Sequence, residues 1–148
     1  MLTNLSQNSE PDVENWIWHY QATIPADISS ITPILEQMME LGRETECFSG
    51  KEMDIETALR EALANAIVHG CKKDKRETVQ LSVACDENRE ILIVVRDPGK
   101  GFDPKSIPDP TVGQNIYAKH GRGLYLINQL MDEVCHEQGG REIHMRKK

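Results

Sequence analysis

The chain has no C-x-x-C pair, no apolar run long enough to cross a membrane, no signal peptide and no surplus of basic residues. Each absence excludes something. Its four cysteines, Cys47, Cys71, Cys85 and Cys135, are scattered, which argues against a disulfide framework or a structural zinc site. Without a leader or a spanning segment, the expected setting is a reducing cytoplasm with no membrane contact. A formal net charge of −7 disfavours direct nucleic-acid binding, which needs a basic surface to displace counterions. No Gly-x-x-x-x-Gly-Lys-Ser/Thr loop exists, and a Gly-x-Gly-x-x-Gly beginning at Gly99 fails at Pro104. None of the five histidines, His19, His69, His120, His136 and His144, stands at ligand spacing from a cysteine or an acid, and His69 with Gly70 reads as a helix end.

What the chain does have is three short polar stretches set in apolar surroundings. Glu61 and Asn65 lie four residues apart in a run, Ile55 to Gly70, with helical periodicity, so they share one face. A solvated helix face is the plain explanation of such a pair. Their neighbours Thr57, Ala58, Ala64 and Val68 are small, however, where an exposed face would carry Lys, Arg and Glu. The opposite side, Ile55, Leu59, Leu63, Ala66 and Ile67, is an ordinary core stripe. An Asn amide oxygen is a hard, neutral ligand that suits Mg²⁺, and a Glu one turn away can orient or deprotonate a hydroxyl attacking a metal-bound phosphate.

The second stretch, Asp97-Pro98-Gly99-Lys100-Gly101, follows Ile91 to Val95, an uninterrupted apolar run that predicts a strand buried on both faces. A carboxylate at the mouth of that strand only accepts hydrogen bonds, which suits the exocyclic amino group of adenine, and Gly99 and Gly101 let the backbone approach a flat ring. A simple strand-to-loop turn would use the same residue types. The third stretch, His120-Gly121-Arg122-Gly123, precedes Leu124, Ile127 and Met131 at helical spacing. Bare N–H groups at such a helix start, with roughly half a positive charge of helix dipole, form an anion site. Lys119 and Arg122 could add charge-assisted contacts or serve as solvated lid residues. Between Gly101 and Gly121, Pro104, Pro108, Pro110, Gly113 and Asn115 with few apolar residues predict a lid over a ligand.

Taken in order, a Glu-x-x-x-Asn box, an Asp-x-Gly-x-Gly box after a strand, a lid and a Gly-x-Gly box resemble the GHKL ATP-binding superfamily. Within it the chain is most similar to the anti-sigma factor serine kinases of the RsbW type, from about Trp16 to Met145. The resemblance implies ATP and Mg²⁺ as cofactors, Asn65 as metal ligand and Glu61 as general base. It implies Asp97, Gly99 and Gly101 on the adenine side, and Gly121, Arg122, Gly123 and Leu124 toward the phosphates. It further implies phosphorylation of a STAS-type anti-anti-sigma protein on serine, sequestration of a sigma factor, and a possible homodimer. The alternative is a nucleotide-gated binding module that transfers little or no phosphate.

Two departures from the family pattern stand out. Lys119 takes a catalytic position where some members carry Arg, and it lacks a bidentate fork. Arg141 and Glu142 follow Gly140 where members often have Thr. The glycine-rich turn at Asp97 also resembles that of S-adenosylmethionine methyltransferases, but there the turn leads directly into a helix, and here a Pro-rich segment follows.

With 148 residues, one domain with its own core is expected over residues 15–148, after a loose polar segment from Met1 to Glu14. No kinase dimerisation helices or gyrase-type transducer domain are expected beside it. Trp16, Trp18 and Tyr20 alternate as in a strand, and Asp27 or Ser30 can cap a helix with Ile31, Leu35, Met38 and Leu41 inward and Pro33 in its first turn. Val79 to Cys85 and Ile91 to Val95 flank Asp86 to Arg89 as a hairpin, and Val134 to Gln138 with Glu142 to Arg146 form another around Gly139-Gly140. The basic end, Arg141 to Lys148, reads as a solvated edge strand. The order β, α, α, β, β, α, β, β predicts an α/β (α+β) two-layer sandwich of Bergerat type, with a mixed, mostly antiparallel sheet and helices on one face. The other face is left for solvent or a partner.

Overall fold

The computed structural model describes residues 16–72, 74–98 and 119–148, without the side chains of 119–122. The N-terminal segment, most of the expected lid, Gly99 and Gly101 therefore lie outside the described residues. The elements are β1 (Trp16–Pro25), α1 (Ile31–Thr45), α2 (Glu52–Asn65), β2 (Thr78–Asp86), β3 (Ile91–Arg96), α3 (Lys119–Leu130), β4 (Glu133–Glu137) and β5 (Glu142–Lys147). This is the element order read from the sequence.

The strands form one five-stranded sheet in the order β1-β2-β3-β5-β4. Every neighbouring pair is antiparallel, so the sheet goes further than the mixed, mostly antiparallel arrangement expected. Inward residues Val79, Leu81, Val83, Ile91, Ile93, Val95 and Met145 join Leu35, Met38, Leu59, Leu63, Ile67 and Ile127 of the helices in one core. Because side chains alternate along a strand, one sheet face meets the helices and the other does not. β3 is buried on both faces, as its apolar run requires.

Local chemistry explains the element ends. Asp27 accepts a hydrogen bond from Ser29 N at 3.0 Å and caps the short 3-10 turn that leads into α1. Gly42 of α1 lies directly on Phe48, since a Cβ there would sit 2.1 Å from the ring. Helix α1 buries Ile34, Met39 and Gly42 along with Ile31, Leu35 and Met38, while the expected Leu41 is only half-buried. In the β2–β3 turn Asp86 Oδ1 accepts from Asn88 N at 2.8 Å and Glu90 N at 2.9 Å, and Arg89 adopts a φ of 64°.

The basic C-terminal strand is a correction. β5 is not an edge; it inserts between β3 and β4, and Glu142, Ile143, His144 and Met145 are buried. Its cations are neutralised rather than solvated. Arg146 pairs with Glu90 at 2.7 Å, and Lys147 pairs with Asp54 at 3.1 Å and donates to Leu130 O at 2.6 Å.

Candidate functional site

Glu61 and Asn65 stand one turn apart on α2, and α3 packs beside them. A Cβ placed on Gly123 would lie 2.8 Å from Glu61 Oε2, 3.4 Å from Asn65 Nδ2 and 3.5 Å from Asn65 Oδ1. The absence of a side chain at Gly123 therefore holds open a cradle over both groups. Asn65 is only 9% exposed, whereas Glu61 is half-buried and makes no hydrogen bond or ion pair with any described residue. A carboxylate with no partner among the described residues in such a cradle can meet a ligand.

Helix α3 begins earlier than the glycines suggest. It starts at Lys119, so Gly121 and Gly123 lie inside its opening turns instead of ahead of it. The backbone N–H groups of the first turn, Gly121 among them, are those left without carbonyl partners inside the helix. Leu124, the next residue, is buried and lines the adjoining cleft. The side chains of Lys119 and Arg122 are outside the described ones.

At the far end of the cleft Asp97 follows the last residue of β3 and is 4% exposed. Its N–H donates to Arg141 O at 2.9 Å, which fastens the β3 exit to the start of β5. Helix α2 does not end regularly at its other side. After Asn65 it widens into a π-helical turn, Ala66–Gly70, a form common at functional sites. That turn brings Gly70 onto Asp97, where a Cβ would lie 2.3 Å from the carboxylate carbon. Burial first, and the Asp97 charge second, push the neighbouring Cys71 thiol up to about 11, so it stays a thiol. The cleft between these ends is narrow, about 300 Å³ with its open mouth, and is lined among others by Asn65, Asp97, Leu124, His136 and Arg141. Burial pulls the His136 imidazole below its usual value, which keeps it neutral at neutral pH.

The fold thus brings Asn65, Leu124 and Asp97 onto one cleft, with Glu61 and Gly123 adjoining it at Asn65 and Gly121 in the opening turn of α3. Gly70, His136 and Arg141 belong to the same place; Gly70 and His136 carried no site reading in the sequence, and Arg141 only that an adenine-side contact differs from the family's. Gly70 resembles any helix terminator, and His136 looks like one more alternating strand residue. Arg141 left a faint signal as a departure from the Gly-Thr pattern. Chemically, a carboxamide, a half-buried carboxylate and a glycine surface fit a magnesium-bridged polyphosphate, and the buried carboxylate of Asp97 fits a base with an amino group.

A two-layer sandwich with such a cleft between α2, α3 and the ends of the central strands is compatible with a nucleotide-binding domain. Residues 24–147 match the family described as histidine kinase-like ATPase domain, and the chain belongs to that family. Among curated proteins it is 38% identical over 89 residues to the serine-protein kinase RsbW of Bacillus licheniformis, covering 55% of this chain and 54% of that one. The corresponding protein of Bacillus subtilis (strain 168) is 36% identical over the same lengths. The anti-sigma F factor of Bacillus thuringiensis (strain Al Hakam) is 28% identical over 133 residues, 86% of this chain and 80% of that one. The chain therefore spans about half the length of the serine-kinase relatives it matches. Among the described residues no helix is long and apolar enough to cross a membrane.

Proposed function

We propose that the chain is an ATP-dependent protein serine kinase that also acts as an anti-sigma factor, phosphorylating a STAS-type anti-anti-sigma protein and sequestering a sigma factor in the cytoplasm. The observation that carries the reading is the Glu61 carboxylate, without a partner among the described residues, one turn from Asn65, both facing Gly123 across a cleft from buried Asp97. The names of the relatives support the partner class.

Asp97 accepts from the amino group of adenine, and the opening turn of α3 donates backbone N–H groups to the phosphates. Asn65 holds Mg²⁺ with its amide oxygen, and the ion when bound neutralises charge on the triphosphate. Glu61 accepts the proton of the incoming serine hydroxyl while its oxygen forms the new bond to the γ-phosphorus and ADP departs with the electron pair of the broken bond. A side chain at Gly123 would crowd that carboxylate.

The test is incubation with γ-labelled ATP and the STAS-type protein of the same cell. Label is expected on a serine of that protein, and Glu61→Ala should retain ATP binding while losing the label. A wild-type chain that binds ATP but leaves the partner unlabelled is a regulatory binding module instead.

A further inference from the structure

Arg141 is the arginine that lines the cleft. It immediately precedes β5, lines the same cleft as Asp97, and forms no ion pair among the described residues. Its Nε is buried without a hydrogen-bond partner. A guanidinium donates only, and a buried donor without an acceptor is costly unless something supplied from outside completes it.

Its position is fixed relative to Asp97. The Asp97 N–H to Arg141 O bond of 2.9 Å joins the two backbones, and Arg141 N donates in turn to Gln138 O at 3.3 Å. The turn that delivers Arg141 uses left-handed backbone at Gln138, Gly139 and Gly140. A carboxylate-bearing and a guanidinium-bearing residue therefore stand opposite each other across the β3 exit and the approach to β5, and both line the cleft.

We propose that Arg141 is a specificity-determining contact to the base of the bound nucleotide. Its guanidinium donates to the ring nitrogen N1 of a 6-aminopurine while Asp97 accepts from the adjacent amino group. This rests on the ATP reading above and deepens it. Adenine presents an amino donor next to a bare N1 acceptor, and guanine presents a carbonyl oxygen next to an N1–H. The Asp97–Arg141 pair matches the first edge at both atoms and opposes the second at both, so selection against guanine follows from repulsion as well as attraction.

The experiment is calorimetric titration of wild type and Arg141→Ala with ATP, with 1-deazaadenosine triphosphate, which keeps the amino group but replaces N1 by C–H, and with GTP, all with Mg²⁺. Arg141→Ala should bind ATP about tenfold more weakly, as expected for loss of a hydrogen bond to a charged donor. It should bind the 1-deaza analogue as wild type does, and its preference for ATP over GTP should narrow. Arg141→Gln, which keeps a donor, should recover part of the ATP affinity and none for the analogue. Equal losses for ATP and the analogue would mark a phosphate or structural role and overturn the inference, as would unchanged ATP affinity. If wild type and Asp97→Ala show the expected adenine preference and its loss while Arg141→Ala is silent, only this inference fails. A wild-type chain that binds no ATP overturns both.

Discussion

Two groups of polar side chains, one buried and one half-buried, lie on opposite faces of one sheet, and they are completed differently. On the outer face Glu142, 3% exposed, accepts from Arg96 Nε at 2.6 Å and lies 2.8 Å from His144 Nε2. Burial works against that carboxylate, but hydrogen bonds from Arg96 and His144 more than offset it and hold Glu142 below the usual carboxyl range. On the helical face Glu61 and Arg141 have opposite charges and neither forms an ion pair among the described residues, although they belong to one site. A buried charge is costly unless paired. The outer cluster meets that demand within the chain, whereas in the cleft neither charge is met by another among the described residues, as a ligand site would leave them.

That contrast breaks most sharply at Gly123. Gly123→Ala places a methyl 2.8 Å from Glu61 Oε2, inside a helix that gains about 0.5–1 kcal/mol from the exchange of Gly for Ala. Phosphotransfer should fall about a hundredfold, the cost of a small misplacement at a reacting centre, while the melting temperature holds or rises. A stable, fully active variant would remove the cradle from the account.

The mirror experiment is Glu142→Ala, which should cost about 3 kcal/mol in denaturant unfolding by stranding its partners, with ATP affinity unchanged. The sign of its pH dependence follows from the lowered folded value. The stabilisation is fully present above the carboxyl's ordinary value of 4.5 and is lost as pH falls through the depressed folded one. Glu142→Ala should therefore be less acid-sensitive than wild type below that pH; parallel stability curves would contradict the pairing.

The smallest effect is expected at Gly70. Gly70→Ala puts a methyl 2.3 Å from the Asp97 carboxylate carbon, and the preference for ATP over GTP should narrow about fivefold, equivalent to about 1 kcal/mol. An unaltered ratio would separate the π-helical turn from base selection.

Local pattern made much of this legible. The Glu61–Asn65 pair, the doubly buried β3 and both hairpins follow from periodicity and turn residues, which act over a few positions. Strand order does not, since it is set by pairing between distant segments. The second hairpin announced that β5 pairs with β4, but nothing in Arg141 to Lys148 announced that β5 also pairs with β3, and its cations suggested an edge. Glycine is a poor helix former, so Gly121 and Gly123 read as lying before α3 when they lie within it. The widening of α2 after Asn65 has no sequence signature, and with it Gly70 and its contact to Asp97 stayed hidden.

The central claim is that Asn65, in the cradle under Gly123, holds the metal ion of a bound nucleotide. Calorimetry of ATP with wild type and Asn65→Ala, each with magnesium and with chelator, tests it directly. Wild type should lose affinity when magnesium is removed, whereas Asn65→Ala should bind about a hundredfold more weakly with magnesium and be indifferent to the chelator. An Asn65→Ala protein whose affinity equals that of wild type and still depends on magnesium would contradict the account.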